Sequence, residues 1–199
     1  NLAPMEGSQH HINTGEEIPV KQRQYKLGVD EREAVKKWVR EMTEAGLIQE
    51  SNSPWCSPLL CVRKPDGSFR ICMDARKLNE LTVKDAYPVH NAQENLEKLG
   101  GSILFSAMDL LSGFWQIKLD DESKQKTAVA TPYGLFEHIV MPMGLCNAPQ
   151  TFTRTMDDIL GDLTELFIKI YMDDILVHSK RRDCNVNETI NMLHIRQLA

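Results

Sequence analysis

Two apolar runs, Leu166–Tyr171 and Ile175–His178, flank Met172-Asp173-Asp174. Each run is apolar enough to be a buried strand, and ionised carboxylates beside a dry core are costly unless something cationic compensates them. Neighbouring strand residues point to opposite faces, so two adjacent aspartates fit best at the tip of a hairpin. A hydrated acidic turn satisfies that pattern equally well. A further aspartate, Asp109, ends another apolar run, Ile-Leu-Phe-Ser-Ala-Met. Three aspartates at the ends of buried strands make a site for two divalent metals. Carboxylates are the hard oxygen ligands that Mg2+ takes, and substrate phosphates complete its shell. Such a pair of ions can activate an attacking oxygen and stabilise a leaving one, as nucleotidyl transfer requires. Spacing alone does not bring Asp109 to Asp173.

The rest of the chain can supply a core for such strands. At 199 residues, with 42% hydrophobic and 26% charged, it is neither disordered nor fibrous in composition and suits one large domain or two small ones. No stretch approaches the roughly 18–20 apolar residues of a membrane helix. The N-terminus lacks the basic-then-apolar pattern of a signal peptide, so the expectation is a protein that is not secreted. It opens on Asn rather than Met, as a segment of a longer chain would. Five cysteines, an odd number without a CxxC pair, read as reduced intracellular thiols. The net charge of −5 argues against a surface that is basic throughout. It leaves room for local basic faces: Lys21, Arg23, Lys26, Arg32, Lys36, Lys37 and Arg40 in one stretch, Arg63, Lys64, Arg70, Arg76 and Lys77 in another. These are two solvated faces or, if they converge, a track for a phosphate backbone.

The first 28 residues read as extended. A helix is predicted over Asp30–Ala45, with Asp30 as N-cap, Glu33 completing a capping box, and Gly46 as the stop. Strands Pro58–Lys64 and Phe69–Asp74 form a hairpin around Pro65-Asp66-Gly67-Ser68. A second helix covers Asn91–Leu99, and Ile103–Leu110 is a strand. Thr127–Ala130 and Phe136–Val140 form another hairpin, and Ala148–Leu160 is a helix with Pro149 in its first turn. Strands and helices interleave without a regular βαβ rhythm, which predicts an α+β fold.

Three segments in order carry a resemblance: Phe105-Ser-Ala-Met-Asp109-Leu-Leu-Ser-Gly-Phe114-Trp-Gln-Ile, Met141-Pro-Met-Gly-Leu-Cys-Asn-Ala-Pro-Gln-Thr-Phe152 and Tyr171-Met-Asp-Asp174. Together they resemble successive reverse-transcriptase motifs, most closely those of gypsy-type LTR retrotransposons. Upstream, Ser51-Asn-Ser-Pro-Trp-Cys-Ser-Pro58, Lys64-Pro-Asp-Gly-Ser-Phe-Arg70 and Asp74-Ala-Arg-Lys-Leu-Asn79 are similar to that family's fingers. The resemblance spans roughly residues 10–180, and several long motifs in register are far more specific than a lone YxDD.

The resemblance implies a right-hand polymerase with an antiparallel palm sheet and packed helices. Residues 1–28 would be an extended linker from an upstream polyprotein segment, 29–85 and 117–146 the fingers, and 86–116 and 147–179 the palm. It implies RNA-directed DNA polymerase activity, joining dNTPs to a primer 3′-OH on an RNA or DNA template. Asp109 and Asp173 would coordinate two Mg2+ ions (Mn2+ as a substitute), with Asp174 in support. Lys64 and Arg70 would hold the incoming triphosphate, a point charge and a planar fork. Phe114 would be the aromatic gate whose bulk excludes a ribose 2′-OH. Met143 and Gly144 would complete the dNTP site, and Arg76, Asn79, Pro142, Tyr171 and Met172 would face template and primer. A cytoplasmic life is also implied.

Departures from the pattern are Met143 in place of Phe or Gln, Ala75 in place of an aromatic, and His90 in place of Pro. Residues 180–199 diverge, and nothing in them resembles the thumb or ribonuclease H segments, which would act in trans. An alternative reading is therefore a truncated or domesticated fragment that binds nucleic acid or protein without polymerising. Asn13-Thr14-Gly15 superficially matches a protease triplet, but Asn cannot ionise. Asn187-Glu-Thr189 fits a glycosylation pattern only in a secreted protein.

Overall fold

The computed structural model describes residues 7–161, 163–171 and 174–180. In chain order the elements are β1 (Gln9–His10), α1 (Val29–Glu44), β2 (Ile48–Glu50), β3 (Ser57–Arg63), β4 (Phe69–Met73), α2 (Arg76–Leu81), α3 (Ala92–Lys98) and β5 (Leu104–Asp109). A 3-10 turn (Gly113–Gln116) leads to β6 (Lys118–Leu119), α4 (Asp121–Lys126), β7 (Val129–Thr131) and β8 (Gly134–His138). Helices α5 (Ala148–Leu160) and α6 (Leu163–Leu166) precede β9 (Ile168–Tyr171) and β10 (Asp174–Ser179). The chain divides into two units, Asn1–Lys84 with Phe114–Ala148 and Asp85–Gly113 with Pro149–Ala199. The expected α+β class holds in both.

The first unit is built on a five-stranded sheet, β2-β8-β7-β3-β4, antiparallel except where β3 runs parallel to β7. Helix α1 packs against β2 and β4 and buries Val35 and Met42. Fully burying an aliphatic side chain of this size contributes about 1.5–3 kcal/mol. The helix starts earlier than Asp30: Gly28 is its N-cap, and the Glu31 carboxylate accepts the Gly28 N–H at 2.7 Å. Glu31, not Glu33, closes the first turn, because the N-cap stands at Gly28 and its third helical position is Glu31. Gly46 ends the helix as expected.

The first stretch is extended and is also built into this unit. β1 pairs in parallel with β6, and Ile12 is 1% exposed. The Ile12 N–H donates to Ser123 Oγ at 2.7 Å, and Lys126 Nζ donates to the Ile12 carbonyl at 2.6 Å. His11 meets Asp120 at 2.7 Å, and the Val83 N–H donates to the Asn13 carbonyl. Ile12→Ala should therefore cost about 2–4 kcal/mol in urea-melt stability. A loss below 1 kcal/mol would show that the segment merely rests on the unit.

In the second unit, β5, β10 and β9 form an antiparallel sheet with β10 in the middle. The chain between β5 and β9 contains α5, whose bounds coincide with the predicted helix. Asn91 caps α3 by accepting the Gln93 N–H at 2.9 Å. Asp157 on α5 accepts from Tyr87 Oη and meets His90 Nε2, both at 2.9 Å. His90 thus makes a polar contact that a proline could not. Arg154 stacks 4.4 Å from the Tyr87 ring centroid and donates to Asp85 at 2.7 Å. Among the described residues no helix is long and apolar enough to cross a membrane.

Candidate active site

The aspartates meet through strand register. β10 runs antiparallel to β5 with Asp174 directly opposite Asp109, and Asp174 is also opposite Tyr171 at the end of β9. Directly opposed residues in an antiparallel pair share a face, with Cβ atoms roughly 4.5–5.5 Å apart. β5 alternates between half-buried and exposed, which leaves Asp109 at its exposed end; Asp174 and Tyr171 are exposed too. Met172 and Asp173 lie outside the described residues. Opposed like charges destabilise a sheet, so this pairing favours a cation between the two carboxylates. Among the described residues no group of three or more His, Cys, Asp or Glu is gathered to hold a metal ion. Asp109 and Asp174 are the two carboxylates that the strand register sets opposite each other among the described residues. Their hard oxygens suit Mg2+, which takes one or two carboxylates and completes its shell with water or phosphate.

Segment 110–113, which follows Asp109, carries backbone strain that the sequence did not signal. Ser112 has φ +52°, the left-handed region that costs a non-glycine residue about 1–2 kcal/mol. Phe114 comes two residues later and is half-buried in the first unit.

Lys64 and Arg70 stand on the β3–β4 hairpin. Val62 pairs with Arg70, and the Lys64 N–H donates to the Ser68 carbonyl at 2.8 Å. The alternation of side chains therefore puts Lys64 and Arg70 on one face of the hairpin, both exposed. Asp66, in the turn between them, has its carboxylate held by the Ser68 N–H (2.9 Å) and Ser68 Oγ (2.6 Å). Those bonds, with Lys64 as a weaker contributor, hold its pKa below the ordinary carboxylate value. On the opposite face Arg63 covers the Phe69 ring at 5.4 Å. The hairpin thus offers two cations to an anion while its turn is fixed internally.

Arg76 is anchored. Its guanidinium grips Asp74 bidentately at 2.8 and 2.7 Å, and Tyr25 Oη donates to the same carboxylate at 2.7 Å. The Arg76 hydrogen bonds hold the Asp74 carboxyl well below the usual carboxylate range and raise the guanidinium in turn. Asp74 is 3% exposed, whereas the Arg76 side chain is 75% exposed, so the guanidinium is oriented from below and open above. Sequence reasoning missed Tyr25 and Asp74 as its supports; the Asp-Ala-Arg spacing was the available signal for Asp74.

Asn79 holds the loop that follows Met141. Its Nδ2 donates to the Gly144 carbonyl at 2.7 Å, and its Oδ1 accepts the Cys146 N–H at 2.9 Å. Gly144 has φ +97°, a conformation that L side chains rarely adopt. Pro142 is buried, while Met143 is 46% exposed and Gly144 is also exposed. Asn79 therefore positions the loop, and both ends of its amide are committed. Asn79→Ala should lower stability by about 1–2 kcal/mol and release the Cys146 amide to hydrogen exchange. Unchanged protection there would refute the clamp.

The fold is that of the fingers and palm of a right-hand polymerase. The protease-reverse transcriptase of prototype foamy virus superposes with a TM-score of 0.84 at 24% identity, covering 100% of this chain and 26% of that one. A double-stranded DNA complex of the foamy viral enzyme gives 0.79 at 25%, over 100% and 40%. The Drosophila melanogaster Pol polyprotein of transposon 297 is 45% identical over 85% of the chain, and that of transposon opus 36% over 86%. A Schizosaccharomyces pombe Tf2-3 polyprotein is 31% identical over 96%. The chain spans 16%, 18% and 14% of these three relatives' lengths. Residues 62–196 match the family described as reverse transcriptase (RNA-dependent DNA polymerase), and the chain belongs to that family.

Proposed function

We propose that this chain is the catalytic fingers and palm of an RNA-directed DNA polymerase from a gypsy-type LTR retrotransposon. The observation that carries this reading is the register that sets Asp109 opposite Asp174 beside Tyr171. Residues 29–85 and 117–146 act as fingers, 86–116 and 147–179 as palm. Asp109 and Asp173, supported by Asp174, hold two Mg2+. When bound, such ions polarise the α-phosphate and lower the pKa of the primer 3′-OH. Lys64 and Arg70 bind the triphosphate from one hairpin face, with its charge compensated as it docks. Phe114 lies under the sugar and disfavours a 2′-OH. Arg76, oriented by Asp74 and Tyr25, contacts the template phosphates. The loop fixed by Asn79 presents Met143 and Gly144 to the new base pair, with Pro142 shaping it from within.

The foamy viral enzyme has been seen with double-stranded DNA and with an RNA/DNA hybrid, which supports a template–primer duplex as partner here. Further grip on the duplex comes from thumb and ribonuclease H segments, in the same polyprotein or in trans. An intracellular setting is part of the same proposal.

Primer extension on an RNA template with dNTPs and Mg2+, beside an Asp173→Asn control, tests the proposal. Extension that disappears in the control is the expected result. No extension by soluble, cooperatively folding protein would overturn free-standing activity, and equal extension by both would trace it to a contaminant.

A further inference from the structure

The two basic stretches of the sequence meet at Tyr25. Residues 20–25 run extended beside the start of β3. The Gln22 N–H donates to the Cys56 carbonyl at 2.8 Å. Gln24 Oε1 accepts the Leu59 N–H at 2.7 Å, and Gln24 Nε2 donates to the Leu59 carbonyl at 3.1 Å. An extended backbone alternates its side chains, so Gln22 and Gln24 are half-buried while Lys21, Arg23 and Tyr25 form an exposed row. Successive members of the row stand roughly 6–7 Å apart along the chain. Tyr25 joins this row to Arg76, from the second basic stretch: its Oη donates to Asp74 at 2.7 Å and accepts from Arg76 Nη2 at 3.4 Å.

Each group offers something different to a ligand. Among the described residues neither Lys21 nor Arg23 forms an ion pair, so both charges are open. Asp74 compensates the charge of Arg76, which therefore adds directed hydrogen bonds rather than net attraction. Its Nε and Nη2 are spent on Asp74 and Tyr25, and the Nη1 hydrogens remain for a further acceptor. The Tyr25 ring is 41% exposed and is held at its hydroxyl, while Gln24 fixes the adjacent backbone. A flat ring held still among cations suits a nucleobase with phosphates on either side. Stacking of this kind is worth about 1–3 kcal/mol per base and tolerates any base. A base inside a duplex is already covered by its neighbours, so the ring favours an unpaired strand. An acidic peptide would use Lys21 and Arg23 but leave the ring idle. Exposed Glu16 and Glu17 end the cationic row upstream.

We propose that Lys21, Arg23, Tyr25 and Arg76 form a track for single-stranded nucleic acid, with a base stacked on Tyr25 and phosphates held by the three cations. The track rests on the polymerase reading for one point only, that the strand it holds is unpaired template.

The test is fluorescence anisotropy of the whole chain with a labelled oligothymidylate, in EDTA so that no synthesis occurs. Tyr25→Ala and Arg23→Glu should each weaken binding about fivefold or more, whereas Tyr25→Phe, which keeps the ring, should stay within about threefold of wild type. A strand of equal length without bases should bind wild type more weakly, and should bind Tyr25→Ala no worse than wild type, because nothing is left to stack. That comparison and Arg23→Glu, at an exposed position that should melt like wild type, remain informative if Tyr25→Ala unfolds. Undiminished binding of oligothymidylate by folded Tyr25→Ala, or of the base-free strand by wild type, would overturn the proposal. So would equal weakening by Lys36→Glu on α1, which would mark general charge attraction, or equal competition by oligoglutamate, which would mark an acidic protein partner. Ring-dependent binding by a protein that extends no primer would support the track and count against the polymerase reading alone.

Discussion

Asp109→Asn should abolish measurable primer extension, a loss of at least about two to three orders of magnitude, while leaving the protein as stable as before or slightly more so. The two effects come from one geometry. Asp109 and Asp174 face each other across β5 and β10, and without a cation their charges repel. Removing one charge relieves up to about 1 kcal/mol of that repulsion. Urea melts of wild type and variant in EDTA check the stability half, and primer extension in Mg2+ checks the other. Adding Mg2+ should then raise wild-type stability more than that of the variant, because only a ligand that favours the native state stabilises it. A variant that loses activity by unfolding would refute the assignment of Asp109 as a ligand and make it a structural residue.

Acid should destabilise the first unit through His138. This side chain is fully buried at the end of β8, its ring centroid 6.3 Å from that of Trp38, and burial pushes its pKa down to about 4. Its Nδ1 lies 3.2 Å from the Thr127 carbonyl, so the neutral ring carries its proton there and donates it. An unfolded histidine takes a second proton near pH 6.5. Between those values the unfolded chain binds more protons than the folded one, so stability is full above pH 6.5 and declines as the pH falls toward 4. The decline amounts to about 3 kcal/mol. His138→Leu loses the bond to Thr127 and starts less stable at pH 7, but its stability should change far less over that interval. His178, 6% exposed, is shifted in the same direction by burial and by Lys169, and Asp74 responds only at more acid pH. The difference between wild type and variant therefore isolates His138. Parallel pH profiles for the two would refute its role.

The elements with strong local signals were legible in the sequence. α5 combines Pro149 in its first turn with an amphipathic run, and its predicted bounds coincide with those observed. The β3–β4 hairpin was set by its turn residues. Elements specified by distant partners were not legible. β1 is two residues long and exists because β6, more than a hundred residues away, pairs with it. β2 is three residues that become a strand by meeting β8. α2 buries only Leu78 and so has no apolar period to detect. The site divides in the same way. Residue chemistry pointed to the carboxylates, but spacing could not show that Asp174 faces Asp109, because register is a property of paired strands. Nor could it show that Arg76 is held by Tyr25, 51 positions away.

The segment around Ile12 has a consequence for synthesis on the ribosome. Its partner Ser123 lies 111 positions downstream, and at about 5–20 residues per second the nascent chain waits roughly 5–20 s for it. During that interval β3 has neither β7 beside it nor α4 to anchor the N-terminal stretch, so apolar surface stays open to chaperones. Slow translation between residues 84 and 123 would lengthen this exposure, and faster translation there would shorten it.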